Sequence, residues 1–157
     1  MERTRLLAGV VLALLVAVAG FAVLGGEPAE TLSISNERDG TAVVEVYQVD
    51  ADATVVLERA DGSSTTTQPG DVDSLDDVTT VRVPANTSRE AIPIFPNGTA
   101  TADASQTGSR FVYVVHDGDP DGRTYLAVGL VDCGDANPSA NVTITDDDAT
   151  LEAGPCE

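Results

Sequence analysis

The residues best placed to do chemistry are Asp117-Gly118-Asp119-Pro120-Asp121-Gly122. Alternating carboxylates can converge on one hard cation, and the glycine permits the sharp turn that such a loop needs. The stretch matches the first half of the D-x-[DN]-x-[DN]-G calcium-loop pattern. The twelfth position of that pattern requires Glu, and Val128 stands there. A helix–loop–helix calcium fold is therefore rejected. Asp117, Asp119 and Asp121 remain a candidate partial Ca²⁺ site, to be completed by Asp132 and Asp135 or by Asp146, Asp147 and Asp148. The plainer reading is an acidic turn in an Asp-rich chain.

His116 is the single histidine and precedes Asp117. A lone imidazole can serve as a general base. The chain has no G-x-S-x-G elbow, no H-E-x-x-H helix and no Gly-rich phosphate loop to work with it. Paired carboxylates can hydrolyse glycosides. With 25 acidic residues after position 26, proximity of two carries almost no information. The expectation is a non-enzyme, without an organic cofactor, and with His116 at a core edge or on the surface. Tyr47, Phe111, Tyr113 and Tyr125 could line a carbohydrate platform; they are more simply the few large core residues.

Cys133 and Cys156 are the only cysteines. On the exported side of a membrane, thiols oxidise. A disulfide would tie the C-terminal tail to the body, with a chain-entropy contribution of roughly 3 kcal/mol for a loop of this length. A thiolate metal site would have only His116 as a further soft ligand. Three N-x-[ST] sequons occur, at Asn86, Asn97 and Asn141, and mark candidate glycosylation sites.

Short strands must position these groups. Apolar and polar residues alternate in Thr41–Val49, Val55–Arg59, Val81–Val83 and Asn141–Thr145, which is the period of a half-buried strand. Thr31–Asn36, Thr65–Gln68 and Ala91–Phe95 are further short strands, and Pro93 suits the last to an edge. Asp61-Gly62 marks a hairpin turn. Arg110–His116 and Thr124–Val131 are apolar on both faces, which suits central strands covered on both sides. Gly70–Asp77 and Pro96–Ser109 read as polar loops. No segment after residue 26 has a helical apolar period. The pattern argues for an all-β antiparallel sandwich of eight or nine strands.

Ahead of it, residues 6–26 run without a charge. Such a helix spans roughly 30 Å, one hydrocarbon core. Arg3 and Arg5 precede it, whereas Glu27 and Glu30 follow. This asymmetry places the N-terminus in the cytoplasm and the remainder outside. The competing reading is a secretory signal cleaved near Ala19, after the Ala17-Val18-Ala19 match. No cysteine lies near this segment and no Arg-Arg pair precedes it, which argues against lipidation and twin-arginine export. The expected organisation is an anchor over 1–26, a short linker over 27–30 and an exported domain over 31–157.

The 157 residues carry 26 Asp plus Glu against eight basic residues, all Arg, for a net charge of −18. No basic footprint exists for nucleic acid. The 42% hydrophobic content is too high for a disordered acidic chain. Dense like charge destabilises a compact state in dilute buffer. At molar salt the Debye length falls to about 3 Å and the repulsion is screened. Abundant Asp, no Lys, few aromatics and small Ala/Val cores resemble proteins of extremely halophilic archaea. The strand pattern resembles an immunoglobulin-like or fibronectin-type sandwich, although the hallmark Trp is absent and the cysteines lie too far C-terminal for the usual inter-sheet bridge. The resemblance implies a single-pass surface module that contacts the envelope or another membrane protein. The alternative is a Ca²⁺- or glycan-binding exported module that uses the DGDPDG loop.

Overall fold

The computed structural model describes residues 31–84, 89–103, 110–119, 122–134, 136 and 138–156. The apolar run 6–26, the linker 27–30, Asn86, Asp121 and Asp135 lie outside the described residues. Eleven strands follow in order: β1 (Thr31–Asn36), β2 (Ala42–Gln48), β3 (Val55–Arg59), β4 (Ser64–Thr67), β5 (Val78–Arg82), β6 (Arg89–Ile94), β7 (Thr99–Asp103), β8 (Arg110–Asp117), β9 (Tyr125–Asp132), β10 (Ala140–Ile144) and β11 (Ala149–Ala153). A 3-10 turn, Pro69–Asp71, precedes β5.

The strands form three sheets, ordered β11-β10-β1-β7, β6-β2-β8-β9 and β4-β3-β5. The middle one of these is also central in space. Successive side chains of a strand point to opposite faces, so β8 divides its apolar residues between two cores. Phe111, Tyr113 and Val115 pack with Val44, Leu32, Ile34, Val142 and Ile144 in the core between the two four-stranded sheets. Val112 and Val114 pack the other way, against Val55, Leu57 and Val78 of the three-stranded sheet. The double apolarity of β8 thus reports two covers, as its sequence implies.

The layer count differs from a two-sheet sandwich. The small sheet was not foreseen as a separate layer, because Val55 and Leu57 alternate as they would in any strand that faces one core. The pairing is also not wholly antiparallel. β1 runs parallel to β10, with Leu32 opposite Ala140 and Asn36 opposite Ile144, and antiparallel to β7. The stretch 96–109, read as a loop, contains β7. Its inward residues are Ala100 and Ala102, too small to give an apolar signal. The stretch 70–77 has little regular structure, yet Val72 and Leu75 pack on the second core. Ala149–Ala153 was likewise missed.

Turns follow local chemistry. In the β3–β4 hairpin, Gly62 has φ +82°, a backbone that favours glycine. Its N–H donates to Arg59 O at 2.9 Å. Hydrogen bonds from the Ser63 side chain and backbone hold the Asp61 carboxyl below the usual range. Asn36 is buried at the β1–β2 turn. Its Nδ2 donates to Gly40 O at 2.9 Å and Phe95 O at 3.0 Å, which joins that turn to the β6–β7 turn. Cys133 and Cys156 form a disulfide with Cα atoms 5.5 Å apart. It ties the end of β9 to the tail that follows β11, and so links the two four-stranded sheets at one lateral edge.

Candidate functional site

The acidic turn sits between β8 and β9. Asp117 donates its N–H to Thr124 O at 3.0 Å, and its Oδ1 accepts the Thr124 N–H at 2.9 Å. Gly118 donates to Thr41 O at 2.8 Å. A Cβ at Gly118 would lie 3.1 Å from Thr41 Cγ2, so the close approach of β2 suits glycine here. One carboxylate of the DGDPDG run therefore closes the connection between two strands. Among the described residues, no group of three or more His, Cys, Asp or Glu side chains is placed to hold a metal ion; Asp121 and Asp135 lie outside them.

Next to this turn is a polar cluster that sequence reasoning missed. Glu45, on β2, points away from the apolar core, as its alternation with Val44 and Val46 requires. That second face is covered, so Glu45 is only 3% exposed, as is His116. Tyr47 donates its hydroxyl to Glu45 Oε2 at 2.6 Å. His116 Nε2 and Arg123 Nη1 each lie 3.4 Å from Glu45 Oε1. His116 Nδ1 meets the Asp117 carbonyl oxygen. The ring also packs edge-on to Tyr125, with centroids 5.9 Å apart. The two-faced apolarity of β8 was the available signal: a strand buried on both sides implies that its neighbour β2 is buried there too.

A buried carboxylate beside an imidazole can in principle carry a proton. Here both ring nitrogens already have partners, and the pair is closed to solvent. The arrangement satisfies buried polar groups and holds Arg123 at the start of β9. Phe111 and Tyr113 are buried in the first core and Tyr125 in the second, so these three do not line an exposed platform; Tyr47 is half-buried. Among the described residues, the large hydrophobic residue left exposed is Phe95, at 74%. It is in the β6–β7 turn beside Asn97, which is exposed and has φ +51°. Asn141 is exposed on β10, with Val142 and Ile144 inward.

A cleft of about 730 Å³ opens beyond Arg123. Residues 123–128 line it along β9; residues 72–79 form one wall and Asp147–Ala149 the other. At the far end of β9, Arg110 pairs with Asp132. That hydrogen bond, with a second from the Gly134 N–H, holds the Asp132 carboxyl below the usual range.

A family model described as halobacterial Ig domain protein matches residues 1–156. The chain belongs to this family. Membership agrees with the all-β sandwich and with the acidic, lysine-free composition of this halobacterial Ig domain protein. Comparison with curated proteins gives no significant match. Among solved structures, the chain is similar to the T6SS lipoprotein TssJ1 from Pseudomonas aeruginosa, at 12% identity and a TM-score of 0.39, over 83% of this chain and 100% of that one.

Proposed function

We propose that this halobacterial Ig domain protein is a non-enzymatic surface module, anchored by residues 6–26, that supports protein or envelope contacts at high salt. The observation that carries the reading is the Cys133–Cys156 disulfide. Disulfides persist in oxidising compartments, and this one staples a domain that follows a 21-residue uncharged run. The satisfied Glu45 cluster supports a structural role for the sole histidine.

The test is protease shaving of intact cells that express the full chain with a C-terminal tag. The tag should fractionate with membranes and be lost on shaving. A tag that sediments with membranes yet resists protease until lysis would overturn the reading. Mass measurement of the N-terminus separates an intact anchor from cleavage near Ala19.

A further inference from the structure

β9, expected from its two-faced apolarity to be a central strand, is instead the last strand of the central sheet. No strand pairs with its outer edge among the described residues. From Tyr125 to Val131 that edge holds neither charge nor proline. The opposite end strand, β6, carries Arg89, Glu90 and Pro93. Charge and proline are the usual devices that stop an edge from recruiting a further strand, and β9 lacks both.

The surroundings make this edge a slot. The cleft has the first half of β9 as its floor, one wall from the three-stranded side and the other from the β10–β11 turn. The four floor residues that belong to β9, Tyr125 to Val128, span roughly 14 Å at about 3.4 Å each, the length of a short strand. Asp73, Asp76 and Asp77 stand on one wall; Asp147 and Asp148 stand on the other. Among the described residues, the cation lining the cleft is Arg123, which pairs with Glu45.

We propose that the β9 edge accepts an extended segment of a partner protein, in which Lys or Arg alternates with apolar residues. The segment adds to the central sheet through main-chain hydrogen bonds, the mode in which an edge supplies affinity and flanking pockets supply specificity. Its cations share one face of the added strand and meet the wall that carries Asp73, Asp76 and Asp77, while its apolar residues face the opposite side. This proposal rests on the surface-module reading and names the partner's chemistry.

The test uses the full chain in mild detergent at about 2 M KCl, where screening leaves only charges in contact to interact. The probe is a labelled synthetic peptide of alternating Val and Arg, as long as β9. Its binding is followed by fluorescence anisotropy and by amide exchange. The expected result is saturable binding with new protection of the β9 amides. Replacing Arg by Glu in the peptide, or N-methylating alternate amides along it, should abolish binding. The triple variant Asp73→Asn, Asp76→Asn and Asp77→Asn, all at exposed positions, should weaken it by about tenfold or more. Three results overturn the proposal: no binding, equal binding of the N-methylated peptide, or a dimer whose β9 amides are already protected without peptide. The last would assign the edge to a second copy. A domain accessible on cells that binds no peptide sinks the edge proposal alone; a domain inaccessible on cells sinks the module reading.

Discussion

The two faces of the central sheet are built from the same strands in different ways. Toward the larger sandwich, β2 and β8 present Val44, Val46, Phe111, Tyr113 and Val115, an almost wholly apolar surface. Toward the small sheet, the same strands present Val112 and Val114 together with Glu45, Tyr47 and His116. The first face is held by area removed from water, which is strong and non-directional. The second adds hydrogen bonds with defined partners. These contribute little net stability each but cost more when one partner is lost. One face supplies stacking energy, and the other ties the start of β9 to β2.

Phe111→Ala should break the apolar face most severely, at about 3–5 kcal/mol in denaturant unfolding at constant molar salt. Removing the Cys133–Cys156 staple as a double Ser variant should cost roughly 3 kcal/mol, read in the same titration; no loss would mean that the joined edges hold without it. Glu45→Gln tests the polar face. It keeps the shape and removes the charge that Arg123, His116 and Tyr47 share, and should cost about 1–3 kcal/mol. A neutral result would mean that the cluster contributes nothing to holding the layers.

Acid provides a smaller and more local probe. The Asp132 carboxyl is depressed in the folded state by Arg110. Its contribution is therefore present above its ordinary pKa of 3.8 and is lost as pH falls below that value. Asp132→Asn should flatten the acid limb of a stability–pH curve by removing stability at neutral pH while leaving the most acidic region unchanged. An unchanged acid limb would sever that pairing from stability. The smallest effect expected is that of Ca²⁺. Asp117 Oδ1 already accepts the Thr124 N–H, so Ca²⁺ at fixed KCl should not raise the unfolding midpoint. A saturable rise, abolished by Asp119→Ala with Asp121→Ala, would favour the alternative ion-binding module.

Much of the fold was readable where residue size and parity carried the signal. The two-faced run 110–116 announced a central strand, Val142 and Ile144 announced the inward side of β10, and two lone cysteines announced their bridge. β7 was hidden because its buried residues are alanines. The third layer was hidden because alternation reports that a strand has a covered face, but not which sheet covers it. The polar cluster was missed for the same reason: Glu45 occupies an outward position by parity, and only the cover on that face makes it buried. His116 was placed at a core edge or on the surface; it is instead buried, at the end of its strand. Of the DGDPDG run, Asp117 ends β8 and has a structural part, as its carboxylate accepts the Thr124 N–H.

β1 lies between two neighbours, β10 on one side and β7 on the other, each matched to it over five residue pairs. A pulling force applied at Thr31 along the strand axis therefore meets both ladders in shear. Their hydrogen bonds must yield together, whereas a force that peels an outer strand such as β11 breaks them one after another. Resistance to such a force is governed by the unfolding rate. The position of β1 thus gives the domain mechanical strength along the direction in which the chain enters it.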